Sequence, residues 1–146
     1  MKTLEQLRPL IIEWANNKEL IKLENAPKQR LKLIEECGEL ASAILKNNID
    51  EQKDAIGDIF VVLVILAEQL DNSICFEYED FLDETEIDFY ILIQNLYNDY
   101  RLYFVLGYLN DISKKLNHNL TECANTAWNQ IKNRTGKTEN GTFIKD

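Results

Sequence analysis

Nine consecutive residues, Ile59 to Ala67, carry no charged or polar side chain, and Asp58 stands directly in front of them. A stretch of that length is about half of what a bilayer crossing requires, so it reads as a buried core element and not as a membrane span. Together with the amphipathic start at Asp54 and the continuation to Leu70, it suggests a helix that turns apolar on all sides, packed in the middle of a bundle. Val and Ile are frequent enough that periodicity alone leaves a strand open for Ile59 to Leu66. Asp58 is the sharper constraint, because a charge entering a buried helix needs a partner.

The remaining periodicities are helical. Leu4, Leu7, Leu10, Ile11 and Trp14 recur at helical spacing, and the first 24 residues read as a helix with a break. Pro27 suits an early helical position, and Leu31, Ile34, Cys37 or Gly38, Ala41, Ile44 and Leu45 form a stripe of period near 3.6 until Asn47-Asn48 stops it. Asp71 to Glu86 is acidic and is expected to be an exposed connection or a poorly formed helix. Ile87 to Leu116 predicts one long helix, or two with a break near Gly107. Asn119 to Asn133 predicts a final helix, and the tail from Arg134 to Asp146 reads as irregular. With 146 residues, only 5 Gly and 2 Pro, the chain has the size of one domain and few of the turn residues that a many-stranded β protein consumes. The expectation is a single all-α domain over 1–146.

Charge narrows the partners. Sixteen Lys and Arg against 25 Asp and Glu leave a formal charge of -9, which disfavours nucleic acid but not a bound cation. Cys37, Cys75 and Cys123 are odd in number and lack CxxC spacing, so a reduced, cytoplasmic setting is the default. Met1 to Leu10 shows no apolar targeting segment.

The polar face of the second and third helices carries the chemistry. Glu35 and Glu39 are roughly 40° apart around a helix axis, and Glu36 and Glu39 roughly 60°, so three carboxylates share one edge. Asp54 and Asp58 follow on the next helix, again one turn apart. A short connection around 47–51 makes the two helices antiparallel neighbours, so four or five carboxylates are expected to meet. Mutual repulsion would raise some of their pKa values, and a hard divalent cation, Mg²⁺ or Mn²⁺ in its place, would relieve it. Gly38 inside this helix is expected to admit the backbone of another helix beside the site.

Three blocks, LKLIEECGELASAILKN (31–47), KDAIGDIFVVLVILAEQL (53–70) and AWNQIKNRTGKTENGTFIKD (127–146), resemble the small phage and bacterial MazG-like nucleoside triphosphate pyrophosphohydrolases. The resemblance implies an all-α, four-helix-bundle-like core, with 72–117 as an expansion that adds helical segments before the last helix. It also implies Mg²⁺-dependent hydrolysis of nucleoside triphosphates to monophosphate and pyrophosphate, with a housekeeping role in nucleotide pools, by a homodimer or homotetramer. Glu36 and Glu39 match the family's ExxE, and Glu35 the glutamate that often precedes it. Asp58 matches the last residue of ExxD, but Ala55 stands where its glutamate belongs; Asp54 is the candidate replacement.

The metal ligands implied are therefore Glu36, Glu39, Asp58 and Asp54, with Glu35 or Glu36 orienting or deprotonating the attacking water. Lys32, Lys132, Arg134 and Lys137 are candidates for phosphate contact, and Trp14, Trp128 and Asn129 for the base. Ala55 keeps a second class of function open: a helical metal-binding, nucleotide-binding or interaction module that has lost catalysis.

Overall fold

The computed structural model describes residues 1–77, 88–97 and 99–146, with backbone alone for 99–101. Its elements are α1 (Leu4–Asn17), α2 (Ala26–Leu45), α3 (Ile49–Gln69), α4 (Phe89–Leu96), α5 (Val105–Lys115), α6 (Leu120–Ile131) and a hairpin of β1 (Gly136–Glu139) and β2 (Thr142–Lys145). Short 3-10 turns lie at Leu23–Asn25 and Asp99–Phe104. Most of the expected acidic segment, and the first residue of the Ile87 to Leu116 stretch, lie outside the described residues.

Local signals explain where the helices start. Thr3 and Gln6 form a reciprocal capping box on α1, each side chain taking a backbone N–H of the other. Asn48 and Asn119 accept from Glu51 N and Glu122 N and so cap α3 and α6. Between α2 and α3 only Lys46, Asn47 and Asn48 intervene, with Asn47 in the left-handed conformation (φ 51°). That tight turn folds the two helices back on each other as antiparallel neighbours.

α3 is the centre of the bundle. It packs against α2 and α6 most extensively and also against α1 and α5. All of Ile59 to Ala67 is buried, so the apolar run is a helix surrounded by helices and the strand alternative falls away. Buried residues from Leu4 to Ile131 join in one hydrophobic cluster. α4 packs on α5, which closes one side of the bundle.

The structure corrects four expectations. The face of α2 in the core is Leu33, Cys37, Leu40 and Ala43, whereas Leu31, Ile34 and Leu45 of the expected stripe are 60%, 52% and 84% exposed. Both series have helical period, and only the position of α3 selects between them. The interruption in the 88–116 region is marked by the end of α4 at Leu96 and the 3-10 turn at Asp99–Phe104, ahead of Gly107, which is buried inside α5. The tail is not irregular: Gly136–Glu139 pairs antiparallel with Thr142–Lys145 through a two-residue loop, Asn140 (φ 51°) and Gly141 (φ 80°). Those two positive φ values match the twist of the flanking strands, which is why Asn-Gly suits the position.

The fourth correction concerns glycine. A Cβ at Gly38 would meet nothing within 4 Å, so no helix approaches there. The close approach is at Gly57, where a Cβ would collide with the carbonyl oxygen of Cys123 and lie 2.8 Å from Cβ of Ala127. α6 thus lies directly on the α3 backbone. Gly57→Ala is expected to destabilise the fold by at least about 2 kcal/mol through overpacking, and Gly38→Ala to stabilise it by about 0.5–1 kcal/mol; urea unfolding of the two variants checks both signs.

Candidate active site

The α2–α3 turn brings Glu36 and Asp58 to one pocket. Glu36 faces the bundle and is 3% exposed, although it belongs to a run of glutamates that otherwise face water. Lys32, one turn earlier, places Nζ 2.8 Å from Glu36 Oε1 and 2.8 Å from Glu35 Oε2. The second oxygen of Glu36, Oε2, is buried with no hydrogen-bond partner.

The electrostatics follow from burial. Desolvation pushes the Glu36 carboxyl above its ordinary pKa, against the pull of Lys32, and the charges of Glu39 and Glu35 push the same way. Asp58 is pushed up to about 7, first by burial and then by Glu36 and Asp54, with Arg134 and Lys32 opposing. For Lys32, burial favours the neutral form, but the hydrogen bonds to Glu35 and Glu36 outweigh it and hold the ammonium protonated. Lysine and carboxylate therefore do not balance: the pair secures the lysine's charge while desolvation still penalises that of Glu36.

The pocket encloses about 260 Å³. Its wall combines the charged Lys32, Glu36, Asp58 and Arg134 with the apolar Trp14, Leu20, Ile65 and Phe143, and Lys28 and Lys145 line it as well. Of the residues singled out from sequence, the structure brings Lys32, Glu36, Asp58, Arg134 and Trp14 together. Glu35 reaches the site only through Lys32, and Glu39 is exposed but close enough to act on Glu36. Asp54 accepts from Gln130 Nε2 at 2.9 Å and lines a separate groove with His118 and Glu122, one turn from Asp58. Ala55 is buried in the core. Lys132 donates to Asn129 at 2.8 Å, both exposed and outside the pocket. Lys137 pairs with Glu139 at 2.7 Å on the exposed face of the hairpin. Trp128 packs on the core away from the pocket.

Four or five carboxylates therefore do not converge: among the described residues no three acidic, histidine or cysteine side chains stand close enough to hold an ion. Residues three or four apart still fan around the axis, so only Glu36 of its cluster turns inward, and Lys32 sits between it and Glu35. The donors nevertheless suit a hard cation. Glu36 Oε2 is a buried anionic oxygen lacking a partner, Asp58 across from it is destabilised as an anion, and both offer oxygen only. The sequence reading missed the hairpin and Gln29, which also line the pocket. Asn140-Gly141 between alternating residues was the available signal for the hairpin.

Residues 26–86 match the family model of the MazG nucleotide pyrophosphohydrolase domain, which includes α2, α3, Glu36 and Asp58. The chain is MazG-like over that stretch. It is also 49% identical over 69 residues to an uncharacterized 18.2 kDa protein from the rep-hol intergenic region of Haemophilus phage HP1 (strain HP1c1). The alignment covers 47% of this chain and 42% of that protein, less than half of each. No solved structure matches. Among the described residues no helix is long and apolar enough to cross a membrane.

The raised pKa of Asp58 has a consequence for stability. A carboxyl whose pKa is higher in the folded than in the unfolded state contributes stability at low pH that is lost as pH rises through the folded value. Between about pH 4 and 7, ionisation of Asp58 therefore costs stability. In EDTA, Asp58→Asn is expected to raise Tm at pH 8 by several degrees and to change it much less at pH 4. Equal shifts at both pH values in thermal melts would contradict the burial argument.

Proposed function

We propose that the protein is a Mg²⁺-dependent nucleoside triphosphate pyrophosphohydrolase, with Mn²⁺ able to substitute, releasing monophosphate and pyrophosphate and serving nucleotide-pool housekeeping. The observation that carries the reading is the buried, half-partnered Glu36 opposite Asp58, both inside the MazG-matched stretch, with Lys32 of that stretch and Arg134 of the tail beside them. Glu36 and Asp58, helped by Glu39 and Asp54 after local side-chain rearrangement, are the residues that would hold the ion. When bound, the ion neutralises triphosphate charge and acidifies water. Lys32 and Arg134 face the phosphates. Glu35, already hydrogen-bonded to Lys32, orients the attacking water and accepts its proton while the bond to the pyrophosphate leaving group breaks; Glu36 is the alternative base.

A second reading has its own support. Ala55 is buried where a ligand would stand, and the carboxylates of the described residues do not form a ready cage. These favour a catalytically degenerate metal- or nucleotide-binding module. The two separate in one assay: purified protein with a panel of ribo- and deoxyribonucleoside triphosphates, in Mg²⁺, Mn²⁺ or EDTA, following both products. Metal-dependent release of both products is expected, and Glu36→Ala is expected to reduce kcat by at least about 100-fold in a folded protein. No turnover by the wild type on any substrate would leave the binding module.

The chain forms one MazG-like domain over 1–146, with 72–117 as an expansion that supplies α4 and α5, and works in a reduced cytoplasm without a nucleic-acid or membrane partner. It assembles as a homodimer or homotetramer. Supporting this, Leu31, Ile34 and Leu45 expose one apolar edge of α2 around the open Gly38, and Ile49 is exposed just beyond the turn. In light scattering, Ile34→Lys with Leu45→Lys is expected to shift the wild-type oligomer to monomer; a monomeric wild type at high concentration would end this part of the reading.

A further inference from the structure

The pocket has an axis. Gln29, Lys32 and Glu36 of α2 line it in one direction, and Ile65, Val62 and Asp58 of antiparallel α3 line it in the same spatial order. Gln29 marks one level, since its Nε2 donates to the carbonyl of Val62 at 3.4 Å. Glu36 lies seven residues further along α2, a rise of about 10 Å. Glu36, Asp58, Lys32 and Arg134 gather at the Glu36 end, while Lys28 lines the wall beside Gln29. At the Gln29 end stand the Trp14 and Phe143 rings, packed edge to face with centroids 5.1 Å apart.

The hairpin is built to hold that end. Thr138 Oγ1 donates to the carbonyl of Lys18 at 2.6 Å, which ties β1 to the end of α1. Gly141 seats the turn on the first residues of α2, where a Cβ would lie 3.0 Å from Cγ of Lys28 and 3.3 Å from Oδ1 of Asn25. Gly136 makes room for the Phe143 ring, since a Cβ there would fall 2.9 Å from Cζ. The indole N–H of Trp14 is buried at this end without an acceptor. Two rings and a buried amide, about 10 Å from Glu36 along α2 and about 6 Å from Asp58 along α3, suit a flat heteroaromatic group, with the Lys28 cation beside them on the pocket wall.

We propose that the C-terminal hairpin forms the wall of a nucleobase pocket, in which Phe143 is the stacking ring and the Gln29 amide reads the base edge. This rests on the reading of the Glu36 end as the triphosphate site, and the separation between the two ends is comparable with the reach from a nucleotide's α-phosphorus to its base. Phe143 and Gln29 bind and discriminate; they take no part in bond breaking. Base recognition thereby moves away from Trp128 and Asn129, which lie outside the pocket.

The test compares Phe143→Leu, which keeps apolar volume, with Phe143→Tyr, which keeps the ring, after thermal melts have established that both are folded. On the best nucleoside triphosphate, Phe143→Leu is expected to raise KM about 10-fold, the order expected for one lost base stack, and Phe143→Tyr to keep the wild-type KM. The effect should fall on KM and spare kcat. Tripolyphosphate, which has the charge and no base, should inhibit all three proteins with the same constant. An unchanged KM in folded Phe143→Leu, or a loss shared equally by tripolyphosphate, overturns the proposal. Should the wild type turn over no triphosphate, the hydrolysis reading fails separately, and binding of the nucleoside monophosphates followed by amide NMR decides the base pocket. Binding that shifts the Gln29 side-chain amide and is lost in Phe143→Leu supports it; absence of binding by the wild type refutes it.

Discussion

The arrangement of this protein turns on one electrostatic conflict: two carboxylates, Glu36 and Asp58, held in a partly dry pocket where the cost of burial exceeds what Lys32 and Arg134 offset. Lys32 is bonded to one oxygen of Glu36 and shared with Glu35, which leaves Glu36 Oε2 bare. Arg134 opposes the rise in the pKa of Asp58 without cancelling it. Burial of ionisable groups without full compensation destabilises a fold, and such places concentrate at functional sites. The three-residue turn between α2 and α3 leaves the pair little means of separating, so the strain is built into the topology.

The rest of the molecule supports that turn. α3 must run through the bundle with its apolar run fully covered, and α6 covers it only because Gly57 lets the Cys123–Ala127 backbone lie directly on α3. α6 in turn sets the start of the tail, and Arg134, the first tail residue to reach the pocket, arrives one turn after α6 ends. The hairpin then returns across the ends of α1 and α2. A defect at Gly57 would therefore reach the site through α6 without touching any of its charged groups.

The pocket joins parts of the chain that are distant in sequence for a physical reason. A helix pair alone presents charges on a convex surface, where water screens them. The hairpin and Trp14 close one side and lower the local dielectric, so that the charges of Lys32, Glu36, Asp58 and Arg134 act on one another and on whatever enters. In the groove lined by Asp54, His118 and Glu122, Asp54 is instead satisfied by Gln130.

Much of this was legible in the sequence. The helices of the core, the burial of Ile59 to Ala67, the tight turn at Asn47-Asn48 and the conflict of Asp58 with the apolar run follow from periodicity, capping residues and the cost of a charge beside an apolar run, all of which are local, whereas Glu36 stood out from its neighbouring glutamates only through the family resemblance. Only the tertiary structure decided which face of α2 is inside, because Leu31-Ile34-Leu45 and Leu33-Cys37-Leu40 have the same period and differ only in which one α3 covers. The same holds for the glycines: Gly38 and Gly57 are alike as helix interruptions, and nothing but the path of α6 separates them. It holds too for the carboxylates, since a shared edge in projection does not make a shared point in space. The Asn-Gly turn was readable as a hairpin, but its role as a pocket wall was not, because that depends on the contact of Phe143 with Trp14, residues at opposite ends of the chain brought together by packing alone.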